Sequence, residues 1–241
     1  MNTILLTGYW PPSNEMLRPF SVNAHNGRGW CGGNWRGRGY DIHAHFPEFP
    51  HGVERDPVGV GDLAVDYRAT SAGWRRITER LHPRAIITFS RGWNYSAETL
   101  PPQFAWLGKT WEVELRARNL REWQRGSSLT LPDPAPPDAT FAADAARTST
   151  LPVHAIVQRV GESALGLIAY VDKVDFCGAF LSEFIAYHGM WYQAQHAHDV
   201  LHPCHAAGHI HVGAQVTVAE GIAATELTLL ALLDHLDGCR R

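Results

Sequence analysis

Cysteine is scarce in this chain, and none of it is spaced for metal or redox chemistry. Cys31, Cys177, Cys204 and Cys239 form the whole complement, with no C-x-x-C pair. Reduced thiols in a cytoplasmic setting are the simplest expectation, although two bridges are compatible with the count. An excess of positive charge is also missing: 21 Lys and Arg stand against 24 Asp and Glu, for a formal net charge of -3. A general polyanion binder normally carries a basic stripe, so nucleic acid is not an expected partner. No apolar run approaches a membrane span, and the short run Ile4 to Leu6 behind Met1 lacks the basic flank and the length of a signal peptide. Membrane association is therefore not expected either. H-E-x-x-H and G-x-x-x-x-G-K-[ST] patterns are absent, as are internal repeats.

What the chain has is enough apolar material for a full core. Its 241 residues are 45% hydrophobic, which suits one domain over residues 1–241. Short apolar runs alternate with longer segments of helical period, the pattern of an α/β/α sandwich with a mainly parallel, doubly wound sheet. Strands are expected at Thr3–Thr7, Asp41–Phe46, Ala85–Ser90, about Trp111–Arg116, Leu167–Val171 and His209–Val212. Pro152 suits the first turn of a helix carrying Ala155, Ile156 and Val160 inward. A second helix follows Gly178, with Leu181, Phe184, Ile185 and His188 on one face and no obvious stop at Gly189. The last helix opens with Thr217 and Glu220 in capping-box spacing and ends near Gly238. Two segments exceed a minimal α/β domain: the Gly-, Arg- and Trp-rich stretch Asn26 to Tyr40, and the Pro- and Ala-rich stretch Ser127 to Thr148. Both read as long surface loops.

The chemistry concentrates near the C-terminal third. Ser182 lies in the first turns of the helix after Gly178, where free N–H groups and the positive end of the helix dipole can stabilise an oxyanion. Capping is the ordinary use of such a serine. His211 lies on the following apolar strand, and open α/β sheets place ligands beyond the carboxyl ends of their strands. His209 shares its strand face. A serine hydroxyl needs a base, and the base usually needs an acid to orient it; Glu98, in the loop after the Ala85–Ser90 strand, is the candidate. Arg91, Trp93 and Asn94 in that loop, with Tyr9 and Trp10, are the candidate substrate-binding residues.

These residues carry a resemblance. Ile4-Leu5-Leu6-Thr7-Gly8-Tyr9 with Pro11, Ala85 to Glu98, Ser149-Thr150-Leu151-Pro152-Val153, Gly178 to Tyr187 and His209 to Val212 occur in an order similar to the pyroglutamyl aminopeptidases, or pyrrolidone carboxyl peptidases. Those are cysteine peptidases on an α/β/α sandwich. The resemblance implies a nucleophile at Ser182 where the family has cysteine, a catalytic histidine at His211 and a catalytic glutamate at Glu98. It also implies an amide-bond hydrolase that uses no cofactor and no metal. The choice of His211 over His209 rests on the resemblance alone. The chain departs from the family at several positions. Glu183 follows the nucleophile where the family usually has Asn, Pro12 replaces an expected aromatic, and Ser13-Asn14-Glu15 replaces a Gly-rich turn. The expected substrate is accordingly a small-molecule or peptide amide other than a simple pyroglutamyl peptide. Formation of a homo-oligomer is left open.

Rival readings have their own residues. Cys177, just before the helix, is a thiol nucleophile candidate. His196, His198, His202, Cys204, His205, His209 and His211 offer zinc chemistry without a standard spacing. Arg28, Arg36 and Arg38 among glycines suggest a flexible loop rather than a phosphate cradle, with Trp30 and Trp35 available to fold over the site and dry it. A serine substituted for a native cysteine and a non-catalytic binding homologue are the remaining alternatives.

Overall fold

The computed structural model describes residues 2–23, 29–92, 108–121, 123, 138–173, 177–178 and 180–238. Ten strands, β1 (Asn2–Thr7), β2 (Tyr40–His45), β3 (Pro47–Glu48), β4 (Val60–Gly61), β5 (Ala85–Arg91), β6 (Thr110–Glu114), β7 (Arg116–Arg118), β8 (Ala146–Thr148), β9 (Ile168–Asp172) and β10 (Ala206–Val212), occur among these residues. The α-helices are α1 (Tyr67–Leu81), α2 (Val153–Gly161), α3 (Leu181–His196) and α4 (Val218–Gly238). A six-stranded sheet in the order β2-β1-β5-β10-β6-β9 forms the centre. The first four strands are parallel, while β6 pairs antiparallel to β10 and parallel to β9. The α/β class and the mainly parallel sheet agree with the sequence pattern. The reversal at β6 does not follow from that pattern.

Two cores result from strand alternation, because successive side chains point to opposite faces. Ile4, Leu6, Ile87, Phe89, Ile210 and Val212 pack with α2 and α4. Leu5, Ile86 and Ala207 form the other face, under Trp74 and Ile77 of α1 and Leu181, Phe184 and Ile185 of α3. Helix ends follow local chemistry. Asp66 caps α1 by accepting from the N–H groups of Arg68 and Ala69. At α4, Thr217 N–H donates to Glu220 and Glu220 N–H to the Thr217 hydroxyl, the expected capping box. Gly189 lies inside α3, where an added Cβ would meet Thr88 and Ile86 at ordinary van der Waals distance, so the helix rests directly on the sheet without requiring glycine there. Gly208 is more demanding: a Cβ would lie 2.3 Å from the Ser149 hydroxyl.

The described part of the Gly- and Arg-rich segment, residues 29–40, packs on α4 and β2. Arg36 pairs with Glu226 at 2.8 Å, and Arg38 with Asp234 and Asp237 at 3.0 and 2.5 Å, which straps it to α4. Trp35 is buried against Phe20, and Trp30 donates its indole N–H to the Ile42 carbonyl on β2. Both tryptophans are thus committed at the β2 side of the sheet, and the expectation that they dry the site is corrected. Arg28 lies outside the described residues. Among those residues, no helix is long and apolar enough to cross a membrane.

Candidate active site

The neighbours of His211 follow from strand register. Ala207, His209 and His211 share the face of β10 that packs under α1 and α3. Antiparallel pairing sets His209 opposite Glu114 and His211 opposite Glu112, so both glutamates face the same layer. His211 and Glu114 are then diagonal neighbours, within reach for long side chains. Nδ1 of His211 lies 2.6 Å from Glu114 Oε1, with both side chains nearly withdrawn from water. When Glu114 is ionised it can only accept, an arrangement that requires the ring proton on Nδ1 and the lone pair on Nε2. Burial raises the Glu114 pKa while the His211 hydrogen bond opposes the rise. Its second oxygen has no partner among the described residues.

The structure also separates His211 from His209 on physical grounds. His209 is fully buried, with Nδ1 2.8 Å from the Thr88 hydroxyl, and burial drives its pKa well down. It therefore stays neutral, with its ring packed edge-on to His211 at 4.6 Å between centroids.

Ser182 is the second residue of α3 and half-buried. Leu181, Phe184 and Ile185 press the helix onto the same sheet face that carries His211. Among the described residues no side chain caps the N-terminus of α3 at Phe180, so none of them consumes the first N–H groups as a cap. Glu183, the next residue, is fully buried and accepts from the backbone N–H of Arg118 on β7. Burial raises its pKa to about 8, against the lowering effect of backbone hydrogen bonds from Arg118 and Cys177. A carboxyl at this position ties the start of α3 to β7 and to the segment at 177.

Cys177 is a poor rival. Its thiol is buried and donates to the Arg116 carbonyl at 3.3 Å. Burial first, then the neighbouring Glu114, Glu183 and Asp172, hold its pKa well above the ordinary thiol value. The histidine-rich segment disperses likewise. His196 lies 3.3 Å from Asp199, His202 stacks on His82 at 4.0 Å, and Cys204 is buried with its pKa raised to about 12. Among the described residues, the group of His, Cys, Asp and Glu able to share a metal is instead Glu112, Glu114 and His211, with ligand atoms within 4.8 Å. An ion there would have to displace the hydrogen bond between His211 and Glu114.

The candidate substrate residues divide. Tyr9 is 3% exposed and its hydroxyl is 2.8 Å from that of Thr70, so it is a core residue rather than an open wall. Trp10 is half-buried and anchored by its indole N–H on the Pro57 carbonyl at 2.8 Å. Arg91 lies over the Trp10 ring at 5.5 Å. Trp93, Asn94 and Glu98 lie outside the described residues. The carboxylate on His211 is Glu114, a residue that sequence reasoning missed. Its signal was present: Glu112 and Glu114 alternate with Trp111 and Val113, an arrangement that puts two carboxylates on one face of the strand.

No family model matches the chain, and no curated protein does. Solved structures do. The chain is similar to the pyrrolidone carboxyl peptidase from Thermococcus litoralis at 15% identity and a TM-score of 0.61, over 99% of this chain and 96% of that one. It is likewise similar to pyroglutamyl peptidase I from Bacillus amyloliquefaciens at 16% identity and a TM-score of 0.63, over 98% of each chain. A mutant pyrrolidone carboxyl peptidase from Pyrococcus furiosus matches at 15% identity and a TM-score of 0.61, over 97% of this chain and 99% of that one. At these identities the likeness establishes a shared fold nearly end to end.

Proposed function

We propose that this protein, which has the fold of the pyrrolidone carboxyl peptidases, is an amide-bond hydrolase that works through a covalent acyl-enzyme on Ser182. The observation that carries the reading is the buried hydrogen bond between His211 Nδ1 and Glu114 Oε1, on the sheet face against which the Ser182 helix packs. It has the form of the base and orienting acid that a serine nucleophile requires. The Ser182 hydroxyl attacks the amide carbonyl as His211 Nε2 takes its proton. Glu114 holds the ring and balances the imidazolium charge. Backbone N–H groups at the start of α3 receive the oxyanion. Collapse expels the amine, which leaves with the proton from His211. A water molecule then reverses the sequence, giving up a proton to His211 and releasing the acid.

This reading gives Glu114 the orienting role first considered for Glu98. It also makes simple pyroglutamyl peptides poor substrates, because the Tyr9 hydroxyl is already engaged and Pro12 stands where an aromatic wall was expected. Labelling tests the scheme. A fluorophosphonate should modify Ser182, identified by peptide mass, and fail in Ser182→Ala and His211→Ala. Labelling that survives in Ser182→Ala would remove the nucleophile assignment. Ser182→Cys then separates two histories. Little gain in turnover fits a site built for serine, whereas a gain of orders of magnitude with new sensitivity to thiol alkylation fits a serine standing in place of cysteine.

A further inference from the structure

Among the described residues, one charged group at the carboxyl edge of the sheet has no counterion. Arg91 ends β5, and its backbone pairs with Val212, the residue after His211. Its side chain is half-buried over Trp10, whose indole is fixed on Pro57. Several other half-buried arginines are paired: Arg18 with Glu15 and Glu48, Arg38 with Asp234 and Asp237, Arg147 with Asp138, and Arg84 with the carbonyls of Leu201 and Pro203. Among the described residues Arg91 has no carboxylate partner, and burial alone perturbs it, lowering its pKa. Withdrawing a cation from water without a partner costs free energy, and stacking on an indole recovers only part of that cost.

We infer that Arg91 anchors a carboxylate of the substrate, so that the amides this protein cleaves are small molecules carrying an anionic group on the side away from the leaving amine. The inference rests on the Ser182–His211–Glu114 reading and names its substrate class. Guanidinium geometry suits the role, because its planar fork offers two parallel N–H donors to a carboxylate. The charge pattern of the rest of the site gives the substrate a direction. Glu112, Glu114 and Asp172 gather around the His211 side. An anion is repelled there and attracted at Arg91, whereas a departing amine is favoured on the acidic side. A neutral analogue leaves Arg91 unpaired and forfeits the hydrogen bonds that discriminate most strongly.

Two chromogenic amides of equal chain length test this: glutaryl-4-nitroanilide, with a terminal carboxylate, and pentanoyl-4-nitroanilide, without one. The expected kcat/KM ratio in the native protein is about 10–100 in favour of the glutaryl compound, the effect of a charge-assisted hydrogen bond. Arg91→Met keeps the packing length on Trp10 and should bring that ratio close to one, chiefly through KM for the glutaryl compound. Arg91→Lys should retain part of it. A ratio near one in the native protein, or a ratio unchanged in Arg91→Met, overturns the anchor while leaving the hydrolase intact. Glutarate binding to Ser182→Ala, measured by calorimetry, separates the two claims. Binding that disappears when Arg91→Met is added supports the anchor even if neither anilide is cleaved, in which case the hydrolase reading alone falls. No binding together with no cleavage overturns both.

Discussion

Glu183→Gln isolates one buried carboxyl beside the candidate nucleophile. Glu183 is fully buried and accepts from Arg118 N–H, while its second oxygen has no partner among the described residues. Its pKa is raised from 4.5 to about 8, chiefly by burial, with the negative charge of Glu114 adding to the rise and Arg118 and the Cys177 backbone opposing it. The sign follows from proton counting. Between pH 4.5 and 8 the folded state holds a proton that the unfolded state has lost. Stability contributed by this group is therefore complete below about pH 4.5, declines as pH rises and is lost by about pH 8. The slope is about 1.4 kcal/mol per pH unit, and across the window the loss is of order 3–5 kcal/mol. Glutamine preserves the shape and the acceptor but cannot ionise. Urea unfolding of both proteins at intervals from pH 5 to 9 gives the difference in stability, in which titrations common to the two proteins, such as that of buried His188, largely cancel. The native protein should lose stability relative to Glu183→Gln as pH rises toward 8, and the difference should be flat above it. Activity supplies a second readout. Ionised Glu183 would place negative charge next to the oxyanion forming at Ser182, so turnover should fall above about pH 8 in the native protein and persist in the variant. Parallel stability profiles in the two proteins would refute the reasoning.

Three other substitutions or treatments have defined outcomes. Glu114→Gln keeps a group beside His211 but loses the acceptor charge that fixes the tautomer, so kcat should fall by about 10³–10⁴ with a smaller change in KM; a decrease below tenfold in a steady-state anilide assay would move the orienting role elsewhere. Excess EDTA should leave both fold and turnover intact, read by circular dichroism and the same assay. Loss of activity restored by a divalent ion would instead assign Glu112, Glu114 and His211 as ligands. Gly208→Ala sets a Cβ 2.3 Å from Ser149 Oγ and 2.7 Å from Leu151 Cδ1, and should destabilise the fold by about 1–3 kcal/mol in urea unfolding; a neutral effect would mean that the Ser149 segment moves freely.

The sequence alone determined the layered α/β character, because hydrophobic period and alternation are local properties that survive without tertiary contacts. It also determined the α4 capping box, whose partners at 217 and 220 are three residues apart, and the passage of α3 through Gly189. It offered Ser182 and His211 as candidates through the order of short motifs and the family resemblance that they carry. Tertiary structure decided which acid meets the histidine. Glu114 and His211 are 97 positions apart, and their meeting depends on β6 lying antiparallel beside β10 in a register that turns both side chains to one face. Inter-strand register is a non-local property, and a shift of one residue would send Glu114 to the opposite core. The same reason underlies the differing fates of His209 and His211, identical in residue type and strand face. One meets a threonine hydroxyl in a dry interior and the other a buried carboxylate at the strand's end. Arg36, Arg38 and Trp30 read locally as a flexible loop, but carboxylates far along the chain and a strand carbonyl hold them in place.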